Sequence, residues 1–123
     1  MNTVRPKNLD LFTIRFPLPA IVSILHRISG VVLFFLIPAC LWVFQYSLTY
    51  TGYENLHAFF HEPWVKFIFF GLSLAFIYHL LAGIRHLLTD VHIGTSLRAG
   101  RLTAKLVFVF FLVLSILLGV SLW

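Results

Sequence analysis

Charge is scarce in this chain. Asp, Glu, Lys and Arg make up 11% of its 123 residues, where a soluble domain carries about 25%. Acids are the rarest, four against nine Lys and Arg, and the net charge is only +5. The basic residues flank apolar runs, so they read as topology signals, and nucleic-acid binding is not expected. The one cysteine, Cys40, sits inside an apolar run. It excludes an internal disulfide and reads as a small buried or lipid-facing residue. No C-x-x-C-H is present, so covalent c-type haem attachment has no support. Residues 1–15 hold Arg5, Lys7, Asp10 and Arg15 without an apolar core. They match neither a signal peptide nor a transit peptide. Internal repeats and low-complexity tracts are missing as well.

What is present is apolar: 60% of residues are hydrophobic, with 14 Phe. The pattern predicts an all-α membrane protein, one unit over residues 1–123, with little room for a soluble domain. Three apolar runs, at about residues 23–49, 64–88 and 105–123, come near or exceed the length of about 20 residues that crosses a bilayer. Pro6, Pro17 and Pro19 discourage a long helix over residues 1–22, which predicts an extended arm on the cytoplasmic side. Residues 50–63 form a loop, part of which can lie as a short amphipathic helix at the interface. A short polar loop covers residues 89–101. In the last span Ser115, Gly119 and Ser121 are spaced for helix packing.

Arg5, Lys7, Arg15 and Arg27 precede or open the first span, and Arg85, Arg98, Arg101 and Lys105 surround the second loop. The first loop has Lys66 at its end, with Glu54 and Glu62. The positive-inside rule then puts the N-terminus inside and the C-terminus outside.

The second span carries the chemistry. At about 100° per residue from Gly71, the residues Ala75, Ala82, His86, His79 and Asp90 follow within about 100°, with Gly83 a little beyond. One face therefore has small residues, two histidines and an acid. A histidine inside a span is costly without a partner or a job. A flat, bulky group against that face explains the small residues, and a metal in it explains His79. Haem meets both requirements. The alternatives are a buried histidine bonded to a backbone carbonyl or a neighbouring helix, and a proton path.

The first span opens on a polar stretch, Ser23 to Gly30, and Pro38 interrupts its apolar part. Ser23, Arg27, Gly30 and Phe34 share one face, with His26 about 60 to 100° away. An arginine at a span entrance can simply reach the headgroups. Beside a serine one turn earlier, it can instead hydrogen-bond a carbonyl or carboxylate. The predicted topology places His26, Arg27, His86 and Asp90 at the same inner edge, with His79 about 10 Å deeper than His86. A b-type haem usually takes two axial ligands, and this chain has one histidine at that depth. The second ligand is then expected from another chain, with His26, Arg27 and His86 placed toward the haem propionates. His57 and His61, at i and i+4, have metal-ligand spacing but no obvious third ligand.

Three blocks carry a resemblance: R-P-K-N-L-D-L at residues 5–11, S-I-L-H-R-I-S-G at 23–30 and H-L-L-A-G-I-R-H-L-L-T-D at 79–90. In this order, and over nearly the whole chain, they resemble the large cytochrome b membrane-anchor subunit of succinate dehydrogenase, respiratory complex II, with an arm of the enterobacterial type. The resemblance implies a four-subunit complex in which a flavoprotein subunit oxidises succinate and an iron–sulfur subunit relays electrons to the membrane. Two small anchors, set in bacterial inner-membrane lipid, hold haem b and a ubiquinone site. It implies that His79 is an axial haem ligand and that the smaller anchor supplies the other. It implies that Ser23 and Arg27 belong to the quinone pocket, and that His26 and Arg27 approach the propionates. Residues 91–100 are less family-like, with no acid after Asp90. Rival expectations are an anchor of the fumarate reductase type and a structural anchor without haem.

Overall fold

The computed structural model describes Asp10 and residues 12–123. Most of the 5–11 block, with Arg5 and Lys7, lies outside the described residues. Four helices follow one another: α1 (Leu18–Ser47), α2 (Tyr50–His61), α3 (Pro63–Asp90) and α4 (Leu97–Leu122). The described residues contain no strand. Helices α1, α3 and α4 are long and apolar enough to cross a membrane. At 1.5 Å per residue, their 30, 28 and 26 residues give about 45, 42 and 39 Å. A hydrocarbon layer is about 30 Å thick, so each helix extends into the headgroup region.

That overhang corrects two expectations. Residues 18–22, assigned to an extended arm, form the first turns of α1, with Pro17 as its N-cap and Pro19 in the opening turn. Proline is tolerated there because the first helical N–H groups have no partner anyway. The second loop shrinks from residues 89–101 to 91–96. Helix α4 starts well ahead of Lys105 because the Ser96 hydroxyl caps it, accepting from the Ala99 N–H at 3.2 Å. Between α3 and α4 the chain turns through two left-handed residues, His92 (φ 63°) and Gly94 (φ 74°). Pro38 falls inside α1 without ending it. Ser115 and Ser121 donate to carbonyls of their own helix, Phe111 at 2.6 Å and Leu118 at 2.8 Å. Gly119 faces Phe70 of α3.

The expected amphipathic segment of the first loop is α2. Thr49 starts it by accepting from the Gly52 N–H at 3.0 Å. Gly52 is buried against the end of α1, where a Cβ would overlap the Tyr46 carbonyl oxygen and stand 2.6 Å from Thr49 Oγ1. Backbone cannot step aside there. Gly52→Ala should therefore destabilise the α1–α2 turn by about 1–3 kcal/mol, the usual cost of overpacking. A lower thermal midpoint checks it; an unchanged midpoint would mean the turn opens freely. Trp42 stacks on Tyr46, and Phe59 meets Trp64 edge to face. Such aromatics suit the membrane interface.

The core is small and lies nearer the other edge. Val22, Tyr78, Ala82, Ala104 and Val107 are buried together, with Leu18, Leu81, Phe108 and Phe111 against them. Small side chains let membrane helices approach, and interhelical hydrogen bonds add about 0.6 to 2 kcal/mol each. Tyr78 of α3 donates to the Val22 carbonyl of α1 at 3.1 Å. Arg85 of α3 donates to Thr103 Oγ1 and the Gly100 carbonyl of α4. At the far edge, Lys66 Nζ donates to the Leu122 carbonyl at 3.2 Å. Elsewhere the spans face outward. In the most apolar window of each, only 11%, 11% and 6% is buried.

Candidate functional site

His26 of α1 and His79 of α3 meet face to face, ring centroids 4.1 Å apart and 12° from parallel. The His86 ring lies 5.0 Å from His26 on its other flank, tilted by 54°. The three histidines therefore form one group, although His79 and His86 sit two turns apart on α3. Two glycines make this possible. A Cβ on Gly30 would come within 3.1 Å of His79 Cε1, and one on Gly83 within 3.3 Å of His26 Nε2. Each helix thus offers a histidine and, four residues later, a glycine that receives the other helix's ring. His79 and His86 keep their separation of about 10 Å along α3, and the His26 ring, standing over Gly83, lies between them.

This exchange also revises the reading of the small face of α3. Ala82 is fully buried in the core with Ala104, and Gly83 accommodates His26. Both are used by helix packing within the chain. Gly71 has nothing within 4 Å of its Cβ direction.

Two oxygens of α1 face one nitrogen of His79. Nδ1 lies 3.2 Å from the His26 carbonyl oxygen and 3.0 Å from Ser29 Oγ. Ser29 is buried, and its hydroxyl donates to the same carbonyl at 2.8 Å. A carbonyl only accepts, so the contact with His26 is a hydrogen bond in the tautomer with the proton on Nδ1. In that tautomer Nε2 is unprotonated and its lone pair is available. A ligating histidine is commonly oriented in this way, with the second nitrogen donating to a carbonyl. The expectation of a histidine bonded to backbone is met at Nδ1, and the ring keeps a second nitrogen clear of that contact. His79 is half-buried, so part of the ring stays open at the surface of this chain.

His86 Nε2 is buried and has no hydrogen-bond partner among the described residues. Its ring lies within electrostatic reach of Arg85, Asp90 and Arg27, which places the predicted edge residues from both helices in one neighbourhood. Ser23 is half-buried, while Arg27 and Asp90 are exposed. The donor set suits a haem: an imidazole with a free Nε2, and an orphaned histidine beside an arginine to meet carboxylates.

Sequence reasoning missed three contributors. Ser29 was quoted only as part of a motif, yet it shares the His26 carbonyl with His79. Tyr78 was passed over, although a tyrosine hydroxyl in an apolar span needs a partner. Arg85 was counted as a topology charge, yet it is buried and braces α3 against α4. The remaining histidine pair stays apart from this site. His61 Nδ1 lies 2.6 Å from the His57 carbonyl, and among the described residues no group of three or more metal-ligating side chains comes together. Cys40 is exposed.

Comparison with known proteins matches residues 1–118 to a family described as "Succinate dehydrogenase/Fumarate reductase transmembrane subunit". Among curated relatives, a succinate dehydrogenase cytochrome b556 subunit of Coxiella burnetii is 39% identical, with 100% of each chain covered. That of Rickettsia felis is 34% identical over 97% of this chain and 90% of its own. That of Paracoccus denitrificans is 32% identical over 92% and 88%.

Proposed function

The chain belongs to the succinate dehydrogenase/fumarate reductase transmembrane subunit family, and from that membership we propose that it anchors a succinate:ubiquinone oxidoreductase in a bacterial inner membrane, helps hold haem b and forms part of the site where ubiquinone is reduced. The named relatives are all succinate dehydrogenase subunits, which favours that complex over a fumarate reductase type. Its partners are a flavoprotein subunit, an iron–sulfur subunit that delivers electrons, and a smaller anchor packed on the outward faces of the spans. The N-terminus lies inside, with the edge that carries Arg27, His86 and Arg101.

The observation that carries the haem assignment is the placing of His79 Nδ1 3.2 Å from the His26 carbonyl oxygen, which turns Nε2 away from the chain's own acceptors. His79 would bind the iron through Nε2, and the smaller anchor would supply the second axial ligand. A bound haem b supplies one-electron redox chemistry. His26, Arg27 and His86 would meet its propionates. Ser23 and Arg27 would hold a quinone carbonyl. The Arg27 guanidinium, with no ion pair among the described residues, would stabilise negative charge arriving on that oxygen.

The anchor role is tested by deleting this chain from cells that make the other three subunits. Succinate oxidation with an artificial acceptor should move from the membrane to the soluble fraction, while ubiquinone reduction is lost. Activity that stays on the membrane would reject the role. A reduced-minus-oxidised spectrum of the intact complex should show a b-type band, and an assembled complex without one would leave an anchor free of haem.

A further inference from the structure

One buried cation has no counter-ion. Arg85 is 8% exposed, and its two hydrogen bonds go to neutral groups, Thr103 Oγ1 and the Gly100 carbonyl. It forms no ion pair among the described residues. An uncompensated charge in such a position is costly. Arg85 is also where two cavities meet. One, of about 250 Å³, runs between α3 and α4 and is lined by Leu81, Ile84, Leu106, Val107 and Phe110. The other, of about 400 Å³, opens at the membrane edge beside Thr95, Ser96 and Arg101. Arg85 and Thr89 line both. Neither has an acidic residue among its described lining.

We propose that this composite groove binds one anionic phospholipid, its phosphate held by Arg85 and Arg101 and an acyl chain lying between α3 and α4. The two halves have the two characters of such a molecule. The apolar slot ends at Arg85, and Arg101 lines the cavity beyond it; guanidinium groups favour phosphate geometrically and electrostatically. The exposed faces of Leu88, Leu106 and Phe110 leave the slot open on its side in this chain, so an acyl chain enters without crossing between its helices. A soluble phosphate would leave the apolar slot unused. A zwitterionic headgroup carries the same phosphate but adds a quaternary ammonium, which the two guanidinium groups repel. Plain topology charges need no cavity, and Arg98, which lines neither, illustrates that ordinary case. The groove lies apart from Ser23, Arg27 and His79, so its failure and that of the haem and quinone assignment are distinguishable.

The test uses the assembled complex, stripped of loosely held lipid and titrated with detergent micelles containing dioleoyl phosphatidylglycerol or dioleoyl phosphatidylcholine, with bound lipid read by native mass spectrometry. Wild type should retain phosphatidylglycerol in preference to phosphatidylcholine. Arg101→Gln, at an exposed residue, should weaken phosphatidylglycerol about tenfold, the effect of losing one charge-assisted hydrogen bond. Leu106→Trp should fill the slot and weaken it while both arginines remain. Equal retention of the two lipids, or no effect of Arg101→Gln, would overturn the proposal. So would a photoreactive residue at position 106 that cross-links to a neighbouring subunit and not to lipid.

Discussion

His79→Ala is expected to remove the b-type haem band from a complex that still assembles. The ring's Nδ1 faces the His26 carbonyl and Ser29 Oγ, so Nε2 is the nitrogen left to bind iron, and alanine takes it away. The neighbouring rings do not offer an easy substitute. His26 is seated over Gly83, and His86 Nε2 is enclosed. The expected loss is nearly the whole haem content, measured as haem per flavin in the purified complex. The flavin-based ratio separates lost ligation from lost protein. An unchanged band at full assembly would move the ligand to another residue and remove the main assignment.

Arg27→Leu should lower ubiquinone reduction by about 10²–10³-fold, the usual cost of removing one preorganised donor from a developing negative charge. Succinate oxidation by an artificial acceptor should stay near wild type, since that reaction takes place in the soluble subunits. Arg27 is exposed, so the substitution leaves no cavity in this chain. Parallel loss in both assays would point to a failure of assembly and would discard the quinone role for this residue.

The three membrane helices were legible because about 20 apolar residues in a row have few other fates. The capped start of α4 was harder to see. Arg98, Arg101 and Lys105 look like the end of a loop when a helix is equated with the part of it inside the hydrocarbon. The family was legible from two polar blocks, since polar residues in a span are rare and their spacing is informative. The pairing of those blocks was not. A helical wheel gives the faces of one helix but not the rotation of its neighbour, so the His26 ring between His79 and His86 could not be foreseen and the small residues of α3 looked reserved for a ligand. The His-x-x-x-Gly pattern is present in both helices, at residues 26–30 and 79–83. Read as a pair, it could have indicated that each ring fills the other helix's vacancy. Arg85 was misread for a related reason: sequence shows that a charge lies at an edge, but not whether the next helix covers it.

The reciprocal seating of the two rings ties four positions into two pairs, 26 with 83 and 30 with 79. A larger residue at 83 displaces His26, and a larger one at 30 displaces His79. In lineages that carry this helix pair, change at these positions should therefore be correlated across the pair. A descendant that abandons His26 frees position 83 to gain a side chain, whereas a side chain at position 30 requires the His79 ring to give way. The glycines at 83 and 30 thus each record the shape of a neighbour on the other helix.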